Sequence, residues 1–284
     1  MPLVLQRRKD DGSPSGAYAG ATLRWPTEAL WAQLEPLCPG LSVEVLAETD
    51  SSNTRLMERA RIGETAPCLL VAQRQTAGRG RMGRAWRSAT HGETGASLTF
   101  SLGLMLDPAD WAGLSLAVGV ALAEALHPGV GLKWPNDLWF GAKGDVPGRK
   151  LGGVLVETLG VNGGRYVVIG VGLNVAEPPR MQGDEFSAAW VREFDPTASA
   201  PALLGRIALP LLQSVLRFER EGFRAFAGRF ARADILLGRP VVTTSADAPA
   251  GIAQGVDEQG ALRVQTPSGA IVTIGSGEVS VRPC

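Results

Sequence analysis

The 284-residue chain holds only three cysteines, two histidines and two tyrosines, and its formal net charge is zero. Each scarcity excludes something. Cys38, Cys68 and Cys284 are odd in number and lack metal-ligand spacing, so they form neither a disulfide framework nor a zinc site and read as reduced thiols of a cytosolic protein. His91 and His127 show no metal spacing and no paired nucleophile, and read as structural. Because 28 basic residues balance 28 acidic ones, gripping nucleic acid is not the main work of the chain. The longest apolar run, 111–123, falls well short of the roughly 20 residues of a membrane span. Arg7, Arg8 and Lys9 are not followed by the apolar segment of a secretory signal. No internal repeat is evident, and the expectation is a soluble, cytoplasmic protein with an ordinary core, 45% of its residues being hydrophobic.

What the chain has in quantity is glycine and proline, 36 and 19, which cut it into short elements. Residues 1–20 mix charge, glycine, serine and proline without period, as a disordered leader would. Pro26 and Thr27 start a helix to about Leu37, and 41–47 alternates as a strand. Asp50, Ser51, Ser52 and Asn53 cap a helix to about Arg61, and strands follow at 68–73 and 97–104. Asp107 and Pro108 open a helix to about Leu126, apolar nearly all round and expected to be buried. Residues 150–157 and 166–175 read as a hairpin around Asn162, Gly163 and Gly164, and helices follow at 201–221 and 222–231. Beyond Asp234 five short strands (239–244, 251–256, 261–265, 270–274 and 278–281) suggest a small β-barrel. The expected division is a leader at 1–20, a main domain at 21–233 and a second domain at 234–284.

The most unusual stretch is 73–86, Q-R-Q-T-A-G-R-G-R-M-G-R-A-W, with Arg87 just beyond. Gly78, Gly80 and Gly83 each cost about 1 kcal/mol against alanine in a helix, and the arginines are too many to bury unpaired in a strand. Three readings remain open: a loop that closes on an anion, a solvated arginine-rich loop, and a nucleic-acid patch. Guanidinium suits forked contacts to carboxylate and phosphate. Three other segments place polar groups where a core would not ask for them: Ser51-Ser52-Asn53, Lys133-Trp134-Pro135-Asn136-Asp137 and Lys150-Leu151-Gly152-Gly153. A fourth, Gly170 through Asn174, ends a strand with an amide. Taken singly, these are a helix cap, a turn, a solvated edge charge and a strand end.

Taken together and in this order, the segments resemble the catalytic part of biotin protein ligases. The resemblance covers residues 41–174 by motif: G-R-G-R-x-G-R-x-W at 78–86, K-W-P-N-D at 133–137, K-L-G-G-V-L-V-E at 150–157 and V-I-G-V-G-L-N at 168–174. The five-strand tail extends it to the C-terminus. The fold implied is α+β, a central mixed β-sheet flanked by helices as in biotin and lipoate ligases, with a small SH3-like barrel after it. The activity implied is ATP- and Mg²⁺-dependent adenylation of biotin, then transfer of the biotinyl group to a lysine of a biotin carboxyl carrier protein such as that of acetyl-CoA carboxylase. No prosthetic group is expected.

Carried over by matching position, the resemblance implies biotin contacts for Ser51, Ser52, Asn53, Gln75, Gly78, Arg79, Arg81, Lys150 and Gly152. Nucleotide contacts fall to Arg79, Arg81, Arg84, Trp86, Lys133, Asn136, Asp137, Gly153 and Asn174. Arg81, Lys150 and Asp137 are the implied catalytic residues, and Asn136 and Asp137 the implied Mg²⁺ side. Trp86 stacks in the closed loop or serves core packing. Of the other tryptophans, Trp25, Trp31, Trp111, Trp139 and Trp190 are expected mostly in the core, and Trp134 is expected to wall the ligand pocket. The loop from Gln75 to Trp86 is expected to order on ligand binding. Two departures from the family pattern stand out: Met82 where a basic residue is usual, and a polar insertion at 144–148.

About forty residues precede the first matched strand and show no second or third helix, so neither a DNA-binding domain nor a repressor role is expected. A lipoate or octanoyl ligase on the same scaffold is the nearest rival, opposed by the complete arginine motif and the C-terminal strands. A non-catalytic binding module is a second, opposed by Lys150 and Asp137. Neither the carrier identity nor homodimerisation follows from the chain, since members of the family act as monomers and as dimers.

Overall fold

The computed structural model describes residues 23–86, 94–142, 146, 148–161, 163–178, 188–276 and 281–283. The expected leader, Arg87, His91, Asn162, Cys284 and most of the insertion at 144–148 lie outside the described residues.

A seven-stranded mixed sheet forms the main body, in the order β1-β2-β3-β7-β6-β5-β4. Its strands are β1 (Ser42–Leu46), β2 (Cys68–Ala72), β3 (Ser97–Leu106), β4 (Val130–Lys133), β5 (Asp137–Phe140), β6 (Arg149–Val161) and β7 (Gly164–Asn174). Only β1 and β2 run parallel, and helix α2 (Ser52–Arg61) supplies the crossover that parallel strands need. The other neighbours pair antiparallel. The central strands β3 and β7 are buried along almost their whole length, as strands covered on both faces should be.

The two faces differ. On one, Leu98, Phe100, Leu102, Val154, Val171 and Leu173 join the main core with α1 (Thr27–Leu34), α3 (Leu114–Leu126), α4 (Ala200–Glu221) and α5 (Arg224–Ala233). On the other, Leu70, Tyr166 and Val168 meet Leu56, Met57 and Ala60 of α2 in a smaller cluster with Cys68, edged by Leu46, Leu159 and Val161 of the sheet. One short helix cannot roof seven strands, so part of this face stays open. That opening is where the site lies.

Helix α3 starts later than expected. Asp110 accepts a hydrogen bond from the Ala112 amide, and the chain turns at Gly113 (φ +80°) before the helix begins at Leu114. A Cβ at Gly113 would also overlap the Phe223 ring, so close helix packing needs the glycine there. The buried character of α3 is as expected, with only Ser115, Glu124 and Ala125 outside its buried set.

The last strands, β8 (Pro240–Thr243), β9 (Ala250–Val256), β10 (Leu262–Gln265), β11 (Ile271–Ile274) and β12 (Val281–Pro283), form a separate antiparallel sheet ordered β11-β10-β9-β8-β12, consistent with an SH3-like domain. Trp134 joins the two sheets. It is fully buried and donates its indole N–H to the Gly260 carbonyl (3.0 Å), so it is a structural pin and not the pocket wall expected from sequence. The tryptophans are also less uniformly core than expected: Trp139 is buried, Trp25, Trp111 and Trp190 are half-buried, and Trp31 is exposed.

Candidate active site

The open face is built from glycines and hydroxyls. Ala72, Thr99, Gly172, Gly153 and Asp137 are successive partners across β2, β3, β7, β6 and β5, and two residues along lies the row Leu70, Ser101, Gly170, Leu155. Strand alternation sends their neighbours to the core and these residues to the open side. With no side chain at 153, 170 or 172, a cavity of about 140 Å³ remains above the sheet.

Its first end belongs to α2. Ser51 caps the helix by accepting from the Thr54 amide (3.4 Å), and so delivers Ser52 and Asn53 to the cavity, where all three are buried. Gln75 accepts from the Ser52 amide (2.8 Å), and Ser101 Oγ sits between Ser52 Oγ (2.7 Å) and Asn53 Oδ1 (2.6 Å). Asn53 in turn donates to Glu157 Oε2 (3.0 Å). The result is a small, hydrogen-bonded cup with both donors and acceptors.

The second end is cationic. Asp137 Oδ1 accepts from Lys150 Nζ at 2.7 Å, and Lys133 Nζ lies 3.9 Å from Oδ2. Lys150 reaches this side through an irregularity in β6: Gly152 pairs with Leu138 but Lys150 with Trp139, leaving Leu151 as an extra residue. Such a bulge reverses the alternation. Counting regularly back from Gly153 would put Lys150 on the opposite face. Lys133 is nearly enclosed, and burial, followed by the repulsion of Lys150, Arg84 and Arg282 against the pull of Asp137, lowers its amine to about 8. Asn136 donates to the Val154 carbonyl (2.7 Å) and presents its oxygen to Arg81 (3.5 Å).

The arginine loop closes the top. Gly78 accepts from the Trp86 amide (2.8 Å) and Gly80 donates to the Arg84 carbonyl (2.7 Å), which brings the two limbs together around a 3-10 turn at Arg81–Gly83. A Cβ at Gly78 would overlap the Trp86 carbonyl, so this closure requires glycine. The Trp86 indole rests on Gly172, while Arg79 pairs with Glu157 (3.3 Å). Arg81 is half-buried, its guanidinium lowered chiefly by burial, and it also donates to the Ser276 carbonyl of the C-terminal sheet. At the loop tip Met82, with φ +55°, borders a groove with Val242, Thr243 and Thr244 of that sheet.

Of the residues expected from sequence, Ser51, Ser52, Asn53, Gln75, Arg79, Arg81, Arg84, Trp86, Asn136, Asp137, Lys150 and Gly153 all line this one cavity. Gly78, Lys133, Gly152 and Asn174 do not. Gly78 shapes the loop, Lys133 stands behind Asp137, Gly152 is packed under the Gly172 carbonyl, and Asn174 donates to the Ala189 carbonyl (3.0 Å). Sequence reading missed Thr99 and Ser101 of β3 and the part played by Glu157; the signal for the first two was a hydroxyl at alternate positions in an otherwise apolar strand.

The arrangement pairs a neutral hydrogen-bonding cup with a cluster of fixed cations, as two substrates, one of them polyanionic, would require. Comparison with known proteins agrees. The Biotin/lipoate A/B protein ligase family model matches residues 45–174, and the Biotin protein ligase C terminal domain model matches residues 236–282. The bifunctional ligase/repressor BirA of Salmonella typhimurium is 36% identical over 252 residues, 85% of this chain and 74% of that protein. The biotin–[acetyl-CoA-carboxylase] ligase of Mycobacterium tuberculosis is 31% identical over 260 residues, 84% of this chain and 88% of that one. The biotin protein ligase of Aquifex aeolicus, solved with biotin and ATP, superposes with a TM-score of 0.70 at 29% identity, covering 85% of this chain and 99% of that one. The chain belongs to the biotin protein ligase family, in the class of biotin–[acetyl-CoA-carboxylase] ligases.

Proposed function

We propose that the protein activates biotin with ATP as biotinyl-5'-AMP and transfers the biotinyl group to a lysine of a biotin carboxyl carrier protein. The observation that carries this reading is the single cavity joining the Ser52–Asn53–Gln75 cup to Lys150, Arg81, Arg84 and Asp137. A ureido ring offers two donors and one acceptor, which the cup complements. The biotin carboxylate is ionised at neutral pH and needs no general base. It attacks the α-phosphorus of ATP, and pyrophosphate leaves with the electron pair of the broken P–O bond. Lys150 and Arg81 bring the two anions together and stabilise the charge spreading over the phosphoryl oxygens. Arg84 holds the nucleotide side, Lys133 supports Asp137 from behind, and Trp86 covers the substrates when the loop closes. In the second step the acceptor amine attacks the acyl carbon and AMP departs. Asp137 receives the amine proton, leaving its ion pair with Lys150 to do so.

The donor set near Asp137 fits Mg²⁺ in part. Among the described residues there is no cluster of three or more His, Cys, Asp or Glu that could hold a metal by itself. Asp137 and the Asn136 oxygen offer hard ligands that suffice only when substrate phosphates complete the shell, which is how Mg²⁺ is usually held. When bound there it would neutralise charge on the phosphates.

We further propose a cytoplasmic enzyme. No helix among the described residues is long and apolar enough to cross a membrane. Incubation with ATP, Mg²⁺, a carrier domain and either biotin or lipoate tests the reading: biotin-dependent pyrophosphate release and carrier labelling are expected, and equal labelling with lipoate would overturn it. For Asp137, the check is acyl transfer from preformed biotinyl-adenylate; a D137N variant with an unchanged rate removes the proton-acceptor role.

A further inference from the structure

Glu157 lies at the end of the row Gly153, Leu155, Glu157 that faces the cavity from β6, yet it does not line the cavity itself. Its carboxylate is largely shielded and is divided between two partners. Oε2 accepts from Asn53 Nδ2 at 3.0 Å, and Oε1 lies 3.3 Å from Arg79 Nη1. Asn53 belongs to the cup on α2 and Arg79 to the arginine loop, elements that meet otherwise at the loop base, where Gln75 accepts from Ser52.

The rest of the Asn53 amide is committed. Its oxygen faces Ser101 Oγ at 2.6 Å, an atom with one proton that an amide oxygen can only accept. Its NH₂ therefore turns to Glu157 and, at 3.3 Å, to the Leu155 carbonyl. The carboxylate thus fixes which way the amide points, and with it the donor–acceptor pattern of the cup. The same carboxylate is the anion that Arg79 finds when the loop is down.

We propose that Glu157 is a positioning residue for the adenylation step, a latch through which closure of the arginine loop at Arg79 and the orientation of Asn53 are set together. This rests on the biotin reading of the cup. Substrate that holds Asn53 in place presents Oε1 to the loop, and a closed loop holds Oε2 on Asn53.

The two bonds separate by substitution. In a Glu157→Gln variant the side-chain oxygen can still accept from Asn53, but the NH₂ group then faces the Arg79 guanidinium, donor against donor. The biotin KM is expected to rise by no more than about threefold, in step with cleavage of residues 75–86 by a protease of broad specificity, which rises about threefold with and without biotin, the scale of a half-exposed ion pair. Glu157→Ala removes both bonds, and a rise in biotin KM of about tenfold is expected with the same loss of loop protection. Arg79→Ala should match the loop behaviour of Glu157→Gln, and the double variant Arg79→Ala/Glu157→Gln should cleave no faster than either single one. Wild-type cleavage rates in Glu157→Gln, or additive rates in the double variant, would overturn the latch. If the wild-type protein failed to bind biotin by calorimetry, the biotin reading would fall, and the latch would be judged on biotin-free cleavage alone.

Discussion

Gly172 offers a clean perturbation of the closed loop. It lies mid-sheet between Thr99 and Gly153, and the Trp86 indole rests directly on it. A methyl group at 172 would stand 2.6 Å from the indole Cζ2 and 2.9 Å from its Nε1, so something must move. Strand β7 cannot: it is paired on both sides and buried from Tyr166 to Asn174. The loop can, since Arg79 and Arg84 are exposed and the 3-10 turn contains no buried residue. Overpacking of this kind costs about 1–3 kcal/mol. Spent on opening the loop, that cost becomes a roughly 5- to 150-fold rise in the KM for biotin. A cost confined to the loop leaves global unfolding alone, so Tm should change by less than about 2 °C. Steady-state pyrophosphate release and a thermal melt of Gly172→Ala measure both. A KM within twofold of wild type, or a large fall in Tm with unchanged KM, would refute the reasoning.

Three further outcomes follow from the electrostatics and the glycines. The Lys133 amine falls from about 10.4 in an unfolded chain to about 8 in the fold, so between these values the unfolded state binds more protons and the contribution of this group to stability rises with pH. The effect is on the order of 3 kcal/mol at most, and urea unfolding from pH 7.5 to 9.5 should flatten in a Lys133→Met variant. Burial raises the Asp234 carboxyl to about 6, and its Oδ2 has no hydrogen-bond partner among the described residues. Its ionised form therefore costs stability above that pH, with the penalty absent below about 4, and Asp234→Asn should stabilise the protein at pH 7 by on the order of 1 kcal/mol in chemical denaturation. Gly103→Ala would drive a methyl into the buried Tyr166 hydroxyl and should lower Tm by several degrees while leaving the biotin KM near wild type.

Much of this was legible in the chain, and the failures have physical causes. The apolar runs of β3, β6 and β7 and the hydroxyl cap of α2 are local signals, and local signals survive folding. The start of α3 was not: Asp107 and Pro108 look like a helix opening, but packing against Phe223 fixes the turn at Gly113 instead. The aim of Lys150 depends on one unpaired residue, Leu151, and no periodicity reveals which strand residue a sheet will skip. Trp134 was misread because its partner, the Gly260 carbonyl, lies 126 residues away. Glu157 was read only as the last residue of a strand; its meaning comes from an asparagine 104 residues earlier and an arginine of the glycine-rich loop.

The central claim is the proposal that Arg81 and Lys150, which line the same cavity, assemble an acyl-phosphate anhydride from two anions. Single-turnover formation of biotinyl-adenylate in an Arg81→Ala/Lys150→Ala double variant tests it most directly. A fall of at least about 100-fold with a retained fold is expected, the scale of losing fixed charge at a reacting centre. A double variant that forms biotinyl-adenylate at the wild-type rate would contradict the account.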